Sequence, residues 1–260
     1  MTELNPNPVI KGFDATTLKL LAIVAMVIDH TAWAFVPTNS IWGQVMHAIG
    51  RLTFPIMAFF IAEGFFYTRN FKKYLFRMLG FAILSHFAFQ YFNFGRIPLF
   101  TPVPGESIFY YLYSSVLYPF SLGLACLWVM KRWQTSYPLL KYFVVFVLCV
   151  LAYPGDYLFF APVLVMLFGQ GHGNRTQQLQ SGALVIGYLV IVSLQSGWQE
   201  NMYMLATFFP LLLIKYYDGT QGSAKNELVK YGFYIFYPLH LFILGFIKYQ
   251  LLHQSAITRF

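Results

Sequence analysis

The feature that most constrains the fold of this chain is a succession of apolar segments, each close to the length needed to cross a bilayer. A membrane-spanning helix needs about 20 apolar residues, with a range of about 17–25. Nine such segments can be drawn in the 260 residues, at 17–37, 43–67, 75–94, 108–130, 138–154, 156–170, 180–196, 200–216 and 231–252. We therefore predict an all-α, polytopic transmembrane helical bundle of about nine spans, forming a single domain over residues 1–260.

The fifth and sixth segments, 138–154 and 156–170, are short and meet at a Tyr-Pro-Gly-Asp turn sequence. They are consistent either with two true spans or with a re-entrant pair. The second interpretation leaves seven spans. Both keep the remaining segments on the same sides of the membrane, because removing a pair preserves the alternation.

The charge content excludes a soluble globular domain. Only 10% of the residues are charged and 58% are hydrophobic, whereas soluble domains carry about 25% charged residues. The net charge of +8 would raise nucleic acid as a partner of a soluble protein. Here the basic residues form short clusters between apolar segments, which is typical of cytoplasmic loops. We expect a lipid bilayer and no nucleic acid as the surroundings of this chain.

The loops that carry most of the basic residues alternate along the chain, at 68–77, 131–141, 171–179 and 215–230. By the positive-inside rule these loops are cytoplasmic. The N-terminus is then predicted to be cytoplasmic and the C-terminus to lie outside.

Ionisable side chains within the spans are costly in lipid and indicate function by default. Lys19 and His30 are 11 residues apart in the first span, so both face one side, about 16 Å apart along the axis. His47 and Arg51 lie one turn apart on the second span, and Glu63 lies deeper. A histidine suits proton exchange near neutral pH. The basic residues near the cytoplasmic face suit a phosphate-bearing anion.

The pattern Lys19-x10-His30, with Asp29 directly before the histidine, resembles the first span of the TraX family. The resemblance continues along the chain at Gly50-Arg51, Phe54-Pro55-Ile56, Glu63-Gly64-Phe65, Thr68, Asn70, Tyr74, Arg77, Ser85 and Tyr237-Pro238-Leu239-His240. The Lys-x10-His spacing is also similar to a motif of the acyltransferase-3 family, a distant membrane relative like the heparan N-acetyltransferases.

The TraX resemblance implies acetyl transfer from acetyl-CoA, the acetyl donor, and links the chain to pilin N-terminal acetylation and fimbrial assembly. It also implies a bacterial inner (cytoplasmic) membrane as the location. The acceptor lies at the outer face and stays open between a pilin N-terminus and an envelope glycan hydroxyl. In this chain His30 would be the catalytic centre, as general base or acetyl carrier. Asp29 would orient it, and Arg51 would stabilise the developing oxyanion.

The remaining site residues divide into two sets. We expect contacts to CoA from Lys19, Arg69, Arg77 and Glu63, and contacts to the substrate from His47, Tyr237 and His240. Glu63 could instead only neutralise Lys19 or Arg69. No metal is expected, because the two cysteines lie within apolar segments. His86 departs from the family pattern, and His172 lies in a loop, so neither is included.

Two alternatives from other classes remain open. One is a proton-coupled transporter or flippase with Asp29, His30 and Glu63 as its relay. The other is a non-catalytic pilus-assembly subunit, which would tolerate His30→Ala. A transporter needs neither the Lys19–His30 spacing nor a basic inner mouth. The oligomeric state is not determined by these patterns.

Overall fold

The computed structural model describes residues 12–101, 105–133, 137–225 and 227–252. These residues form helices and turns, with two isolated β-bridges. The α-helices are α1 Ala15–Phe35, α2 Ile41–Gly50, α3 Thr53–Tyr67, α4 Phe71–Phe94, α5 Ile108–Leu112, α6 Leu117–Arg132, α7 Pro138–Leu151, α8 Phe160–Gln170, α9 Arg175–Gln195, α10 Trp198–Asn201, α11 Phe209–Lys215 and α12 Glu227–Phe246. Short 3₁₀-helices cover Met202–Phe208 and Gly222–Lys225, and a π-helix covers Ile247–Leu251. The prediction of an all-α bundle is confirmed.

Five helical stretches within the described residues are long and apolar enough to cross a membrane. They are Ala15–Phe35, Ile41–Tyr67, Phe71–Phe94, Arg175–Gln195 and Tyr231–Leu251. The predicted count of nine is not confirmed. The segment predicted at 108–130 consists of α5, an irregular stretch and α6, and the segment at 200–216 is divided between three short helices.

Proline positions explain where helices end or begin within two of the predicted segments, 43–67 and 200–216. Pro55 removes a helix N–H and clashes with the carbonyl four residues earlier, which belongs to Arg51. The helix accordingly ends at Gly50 and restarts at Thr53. Pro210 lies at the start of α11, where a missing N–H costs little. Pro238, in contrast, lies inside α12, which continues through it without a break.

Polar caps begin the helices that follow four loops. The side chains of Asp14, Ser40, Asn70 and Asn174 each accept a hydrogen bond from a backbone N–H in the first turn of α1, α2, α4 and α9. Such caps satisfy N–H groups that have no partner within the helix. Three of the caps lie at the end of the bundle where α1 starts, and Ser40 lies at the opposite end, where α2 begins its return.

Helix α8 occupies the centre of the bundle and packs against α3, α6 and α9, while α7 packs on the outside of α6. Gly123 of α6 and Gly169 of α8 have no room for a side chain, because a Cβ would overlap Pro162 and Leu127. Small residues at such positions let two helices approach closely. α8 therefore buries its apolar side chains, whereas much of α7 is exposed on the surface that would face lipid.

Loop contacts define two ends of the bundle. At one end, called the inner end, Phe13 bonds to the backbone of Tyr216, and His172 stacks on Phe66. At the other, called the outer end, Gln44 bonds to Glu200. All three contacts join loops that the charge alternation places on the same side. The inner end is the one predicted to be cytoplasmic.

The segments 138–154 and 156–170 run between these two ends. The carbonyl of Leu151, at the end of α7, accepts a hydrogen bond from Tyr118 at the start of α6. The loop after α8 reaches Glu63 near the end of α3. α7 and α8 thus run in opposite directions between the ends. Their 14 and 11 residues span about 21 and 17 Å, which is shorter than the candidate spans, and the choice between two true spans and a re-entrant pair stays a prediction.

Candidate functional site

A cavity of about 720 Å³ lies inside the bundle and is lined from α1, α3, α4, α6, α12 and the loop 152–159. Cavities that bind small molecules commonly measure about 300–1,000 Å³. The ionisable side chains that line it are Lys19, Asp29, His30, Arg51, Glu63, Arg69, Arg77 and Asp156. All of the residues predicted as catalytic and as CoA-binding are therefore in one cavity, and Tyr237 of the predicted substrate set joins them.

His30 forms its closest polar contact with His240. Its Nδ1 lies 2.7 Å from Nε2 of His240, and the two rings are stacked. The Nδ1 of His240 lies 3.0 Å from the carbonyl of Phe236. A carbonyl only accepts, so Nδ1 of His240 carries its proton and Nε2 is left as an acceptor.

The proton position on His240 fixes the tautomer of His30. Because Nε2 of His240 accepts, Nδ1 of His30 must donate, and Nε2 of His30 keeps its lone pair. His30 lines the cavity, whereas His240 is buried behind it and is only 6% exposed. The arrangement leaves a neutral imidazole nitrogen with the proton acceptor and nucleophile properties of a catalytic base.

Asp29 is paired with two other side chains. Its Oδ1 lies 2.8 Å from Nδ1 of His47, and its Oδ2 accepts from Nη2 of Arg51, also at 2.8 Å. The partner that orients His30 is therefore His240, which corrects the role expected for Asp29. Asp29 and Arg51 still lie close enough for their charges to act on His30.

The position of Arg51 depends on the break between α2 and α3. Besides the pair with Asp29, Arg51 donates from Nη1 to the hydroxyl of Tyr157 at 2.8 Å and from Nε to the carbonyl of His47 at 3.3 Å. His47 is completely buried and, like His240, does not line the cavity. His47 and His240, two of the three predicted substrate contacts, thus bond to residues that do line the cavity, Asp29 and His30.

The inner part of the cavity is cationic. Lys19 is half-buried there, and its ammonium lies 5.0 Å from the ring centre of Phe60 and 5.8 Å from that of Phe233. None of the carboxylates in the described residues forms a salt bridge with Lys19. Arg77 lies against the rings of Tyr74, Tyr231 and Tyr234. Such aromatic faces attract a cation and stabilise its position.

Glu63 is paired with residues that the sequence did not associate with it. Its Oε1 lies 2.9 Å from Nδ1 of His172 and accepts from Gln178 at 3.2 Å. The alternative in which Glu63 only neutralises Lys19 or Arg69 finds no support in the salt bridges of the described residues, which pair Glu63 with His172. His172 was excluded as a loop residue. Its position directly after α8, at the predicted cytoplasmic end, was the one available signal.

The loop 152–159 contributes Asp156 and Tyr157, neither of which was predicted as a site residue. Tyr157 stacks on Phe54 at 3.9 Å between ring centres and bonds to Arg51. Burial raises the pKa of Asp156 to about 6, and the charge of Arg51 opposes this shift. The Tyr-Pro-Gly-Asp sequence predicted a turn between two segments, and it gave no signal that Asp156 lines a cavity.

The fold and the cavity define a class: a polytopic helical membrane protein with a polarised internal cavity that holds a histidine pair. Residues 14–248 match the TraX family, described as TraX protein, and the chain belongs to this family. It is similar to a protein of Dichelobacter nodosus named "Probable fimbrial assembly protein FimC, serogroup H1". The two are 28% identical over 239 residues, which cover 89% of this chain and 94% of the relative. No solved structure matches the chain.

Proposed function

We propose that this protein is a membrane-embedded acetyltransferase that moves acetyl from acetyl-CoA, bound from the inner end, to an acceptor at the outer end. The observation that carries the proposal is one cavity that joins a cationic inner part to a histidine with a free Nε2. About 16 Å along α1 separates Lys19 from His30. That distance suits an extended donor with phosphates at one end and a thioester at the other.

The proposed reaction uses His30 as general base. Nε2 of His30 takes the proton of the attacking amine or hydroxyl while the acceptor atom bonds to the thioester carbonyl carbon. The C–S bond then breaks, and the CoA thiolate leaves with the proton that His30 gives back. Arg51 lies beside His30 and stabilises negative charge on the carbonyl oxygen. Transfer of acetyl first to Nε2 of His30 is the covalent variant of this step.

The comparison supports a biological context for the reaction. The relative's printed name refers to fimbrial assembly, and this supports a fimbrial subunit as the acceptor and the bacterial inner membrane as the proposed location. An envelope glycan is the other acceptor class that the TraX resemblance leaves open.

The test is turnover of acetyl-CoA by the purified protein in detergent, followed as release of free CoA with and without an amine acceptor. His30→Ala is compared with His86→Ala, a histidine on α4 that does not line the cavity. General base catalysis contributes about 10²- to 10⁴-fold, so His30→Ala should lose at least that factor of about 100. His86→Ala should retain the wild-type rate.

Other outcomes separate the alternatives. Equal activity in wild type and His30→Ala would move the chemistry to another residue. Absence of acetyl-CoA binding and turnover in the wild type would favour a transporter or an assembly subunit. A transporter is recognised by proton-coupled flux in liposomes that depends on Asp29, and an assembly subunit by fimbriation that tolerates His30→Ala.

A further inference from the structure

The loop 152–159 is held in one defined position at the outer end of the cavity. Asp156 donates its backbone N–H to the carbonyl of Ser114 at 2.8 Å, and Ser114 donates to the carbonyl of Pro154 at 2.9 Å. Gly155 packs so closely on Pro119 that a Cβ would overlap the proline ring. These contacts fix the backbone on both sides of Asp156.

The backbone after Asp156 adopts an uncommon conformation. Tyr157 and Leu158 both have positive φ, +63° and +49°. Such angles are unfavourable for residues with a side chain and are found at ligand sites, where the surrounding structure maintains them. Their effect here is to direct Tyr157 to Arg51 while the carboxylate of Asp156 lines the cavity.

The carboxylate of Asp156 has few partners. Its Oδ1 accepts the backbone N–H of Tyr157 at 3.1 Å, and none of the salt bridges among the described residues involves Asp156. Arg51 is close enough for its charge to act on Asp156, but its guanidinium is already paired with Asp29. A buried carboxylate is costly without a cation or further donors. This position therefore lacks a positive charge that a ligand can supply.

The charges of the cavity are divided between its ends. Lys19, Arg69 and Arg77 line the inner part, where Glu63 is the one carboxylate among the lining residues and is paired with His172. In the outer part the charges of Asp29 and Arg51 offset each other, which leaves the negative charge of Asp156. We propose that Asp156 is the acceptor subsite and that it binds the ammonium group of a primary amine, such as a peptide N-terminus.

This inference rests on the proposed function and narrows it. A hydroxyl acceptor carries no positive charge and would gain little from Asp156, whereas a protonated amine forms a charge-assisted hydrogen bond. The bound ammonium gives one proton to the carboxylate of Asp156 before it reacts, and the neutral amine then loses its second proton to Nε2 of His30 as it attacks the thioester. The groups that face Asp156 are Asp29 of α1, Arg51 between α2 and α3, Tyr157 of the same loop and Tyr237 of α12. With the pKa of Asp156 raised to about 6 by burial, the carboxylate is charged at neutral pH and binding weakens in acid.

The first experiment measures binding without any acetyl transfer. Two peptides are titrated calorimetrically into the purified protein in detergent at pH 7.5. One is alanyl-leucine amide, which has a free α-ammonium, and the other is its N-acetylated form. Wild type is compared with Asp156→Asn and with Glu106→Gln, which removes a carboxylate from an exposed loop at the outer end. The free amine should bind wild type and Glu106→Gln equally and Asp156→Asn at least tenfold more weakly. Equal affinity for Asp156→Asn, or equal affinity of wild type for both peptides, overturns the inference.

The second experiment separates this inference from the proposed function. Acetyl-CoA affinity and acceptor KM are measured for Asp156→Asn and Asp156→Glu, with thermal midpoints recorded to check folding. Asp156→Asn should keep acetyl-CoA affinity and raise the KM of the amine, and Asp156→Glu should restore part of the loss. If ammonium binding depends on Asp156 but no acetyl-CoA is turned over, the subsite is supported and the proposed acetyl transfer is rejected. Turnover on a hydroxyl acceptor that Asp156→Asn leaves unchanged overturns the subsite and retains the transferase.

Discussion

Replacing His240 with leucine is expected to impair acetyl transfer although His240 does not line the cavity. In the structure Nε2 of His240 accepts the proton of His30 Nδ1, and the carbonyl of Phe236 fixes which nitrogen of His240 is the acceptor. Leucine offers no acceptor. The Nδ1–H of His30 is then left unpaired, and the other tautomer, with the proton on Nε2, becomes competitive. In that tautomer Nε2 carries a proton, so it has no lone pair with which to take the proton of the attacking amine or hydroxyl.

The size of the effect follows from the lost hydrogen bond. Leaving a buried donor without its partner costs about 1–3 kcal/mol. Each 1.36 kcal/mol is a factor of about ten in rate, so kcat should fall about 5- to 150-fold. The loss should be smaller than that of His30→Ala, because the base itself is retained. KM for acetyl-CoA should change little, since the predicted phosphate contacts lie at the other end of the cavity.

The assay is initial-rate release of CoA in detergent, with kcat and KM measured from pH 5.5 to 8.5. His240→Gln is the conservative variant, because its amide oxygen can accept from His30 Nδ1, and it should recover part of the rate. His86→Leu is the matched control. If His240→Leu keeps the wild-type kcat and pH profile, the tautomer reasoning is refuted. A rise in KM at constant kcat would instead assign His240 to substrate binding.

Three further outcomes are expected. Gly50→Ala should destabilise the protein by about 1–3 kcal/mol, because a Cβ there overlaps Asp29. The control Gly80→Ala meets no atom within 4 Å and should be neutral or stabilising by up to about 1 kcal/mol. Equal unfolding midpoints of the two variants by scanning fluorimetry would contradict this. Lys19→Met should raise KM for acetyl-CoA about tenfold, the loss of one charge-assisted hydrogen bond, with little change in kcat; an unaltered KM would place the phosphates elsewhere. Asp156→Asn should raise the unfolding midpoint at pH 8 and not at pH 4. Burial raises the folded-state pKa of Asp156 to about 6, so the stability of the protonated form, present below about pH 4, is lost as pH rises through 6; a difference independent of pH would contradict the shift.

The bundle architecture and the position of the polar residues could be predicted because they depend on local rules. Apolar length predicts a helix in lipid, and the spacing of Lys19 and His30 predicts that both lie on one face of α1. Both residues line the same cavity, which agrees with this prediction. Local rules were less successful at the ends of segments. Pro55 divides the second span and places Arg51 in the gap, a consequence that apolar length does not contain.

Apolar segment length and helix geometry act along the chain, so they are sufficient to predict a helical membrane protein with an ionisable face on its first spans. Which polar groups meet depends instead on how the helices pack. His30 and His240 are 210 residues apart, and Arg51 and Tyr157 are 106 apart. Partners at such separations depend on how helices pack and on loop conformations such as that of Asp156. Each buried polar group must find a donor or acceptor within the folded bundle, and the partner it finds is a property of the packing and not of its neighbours in sequence.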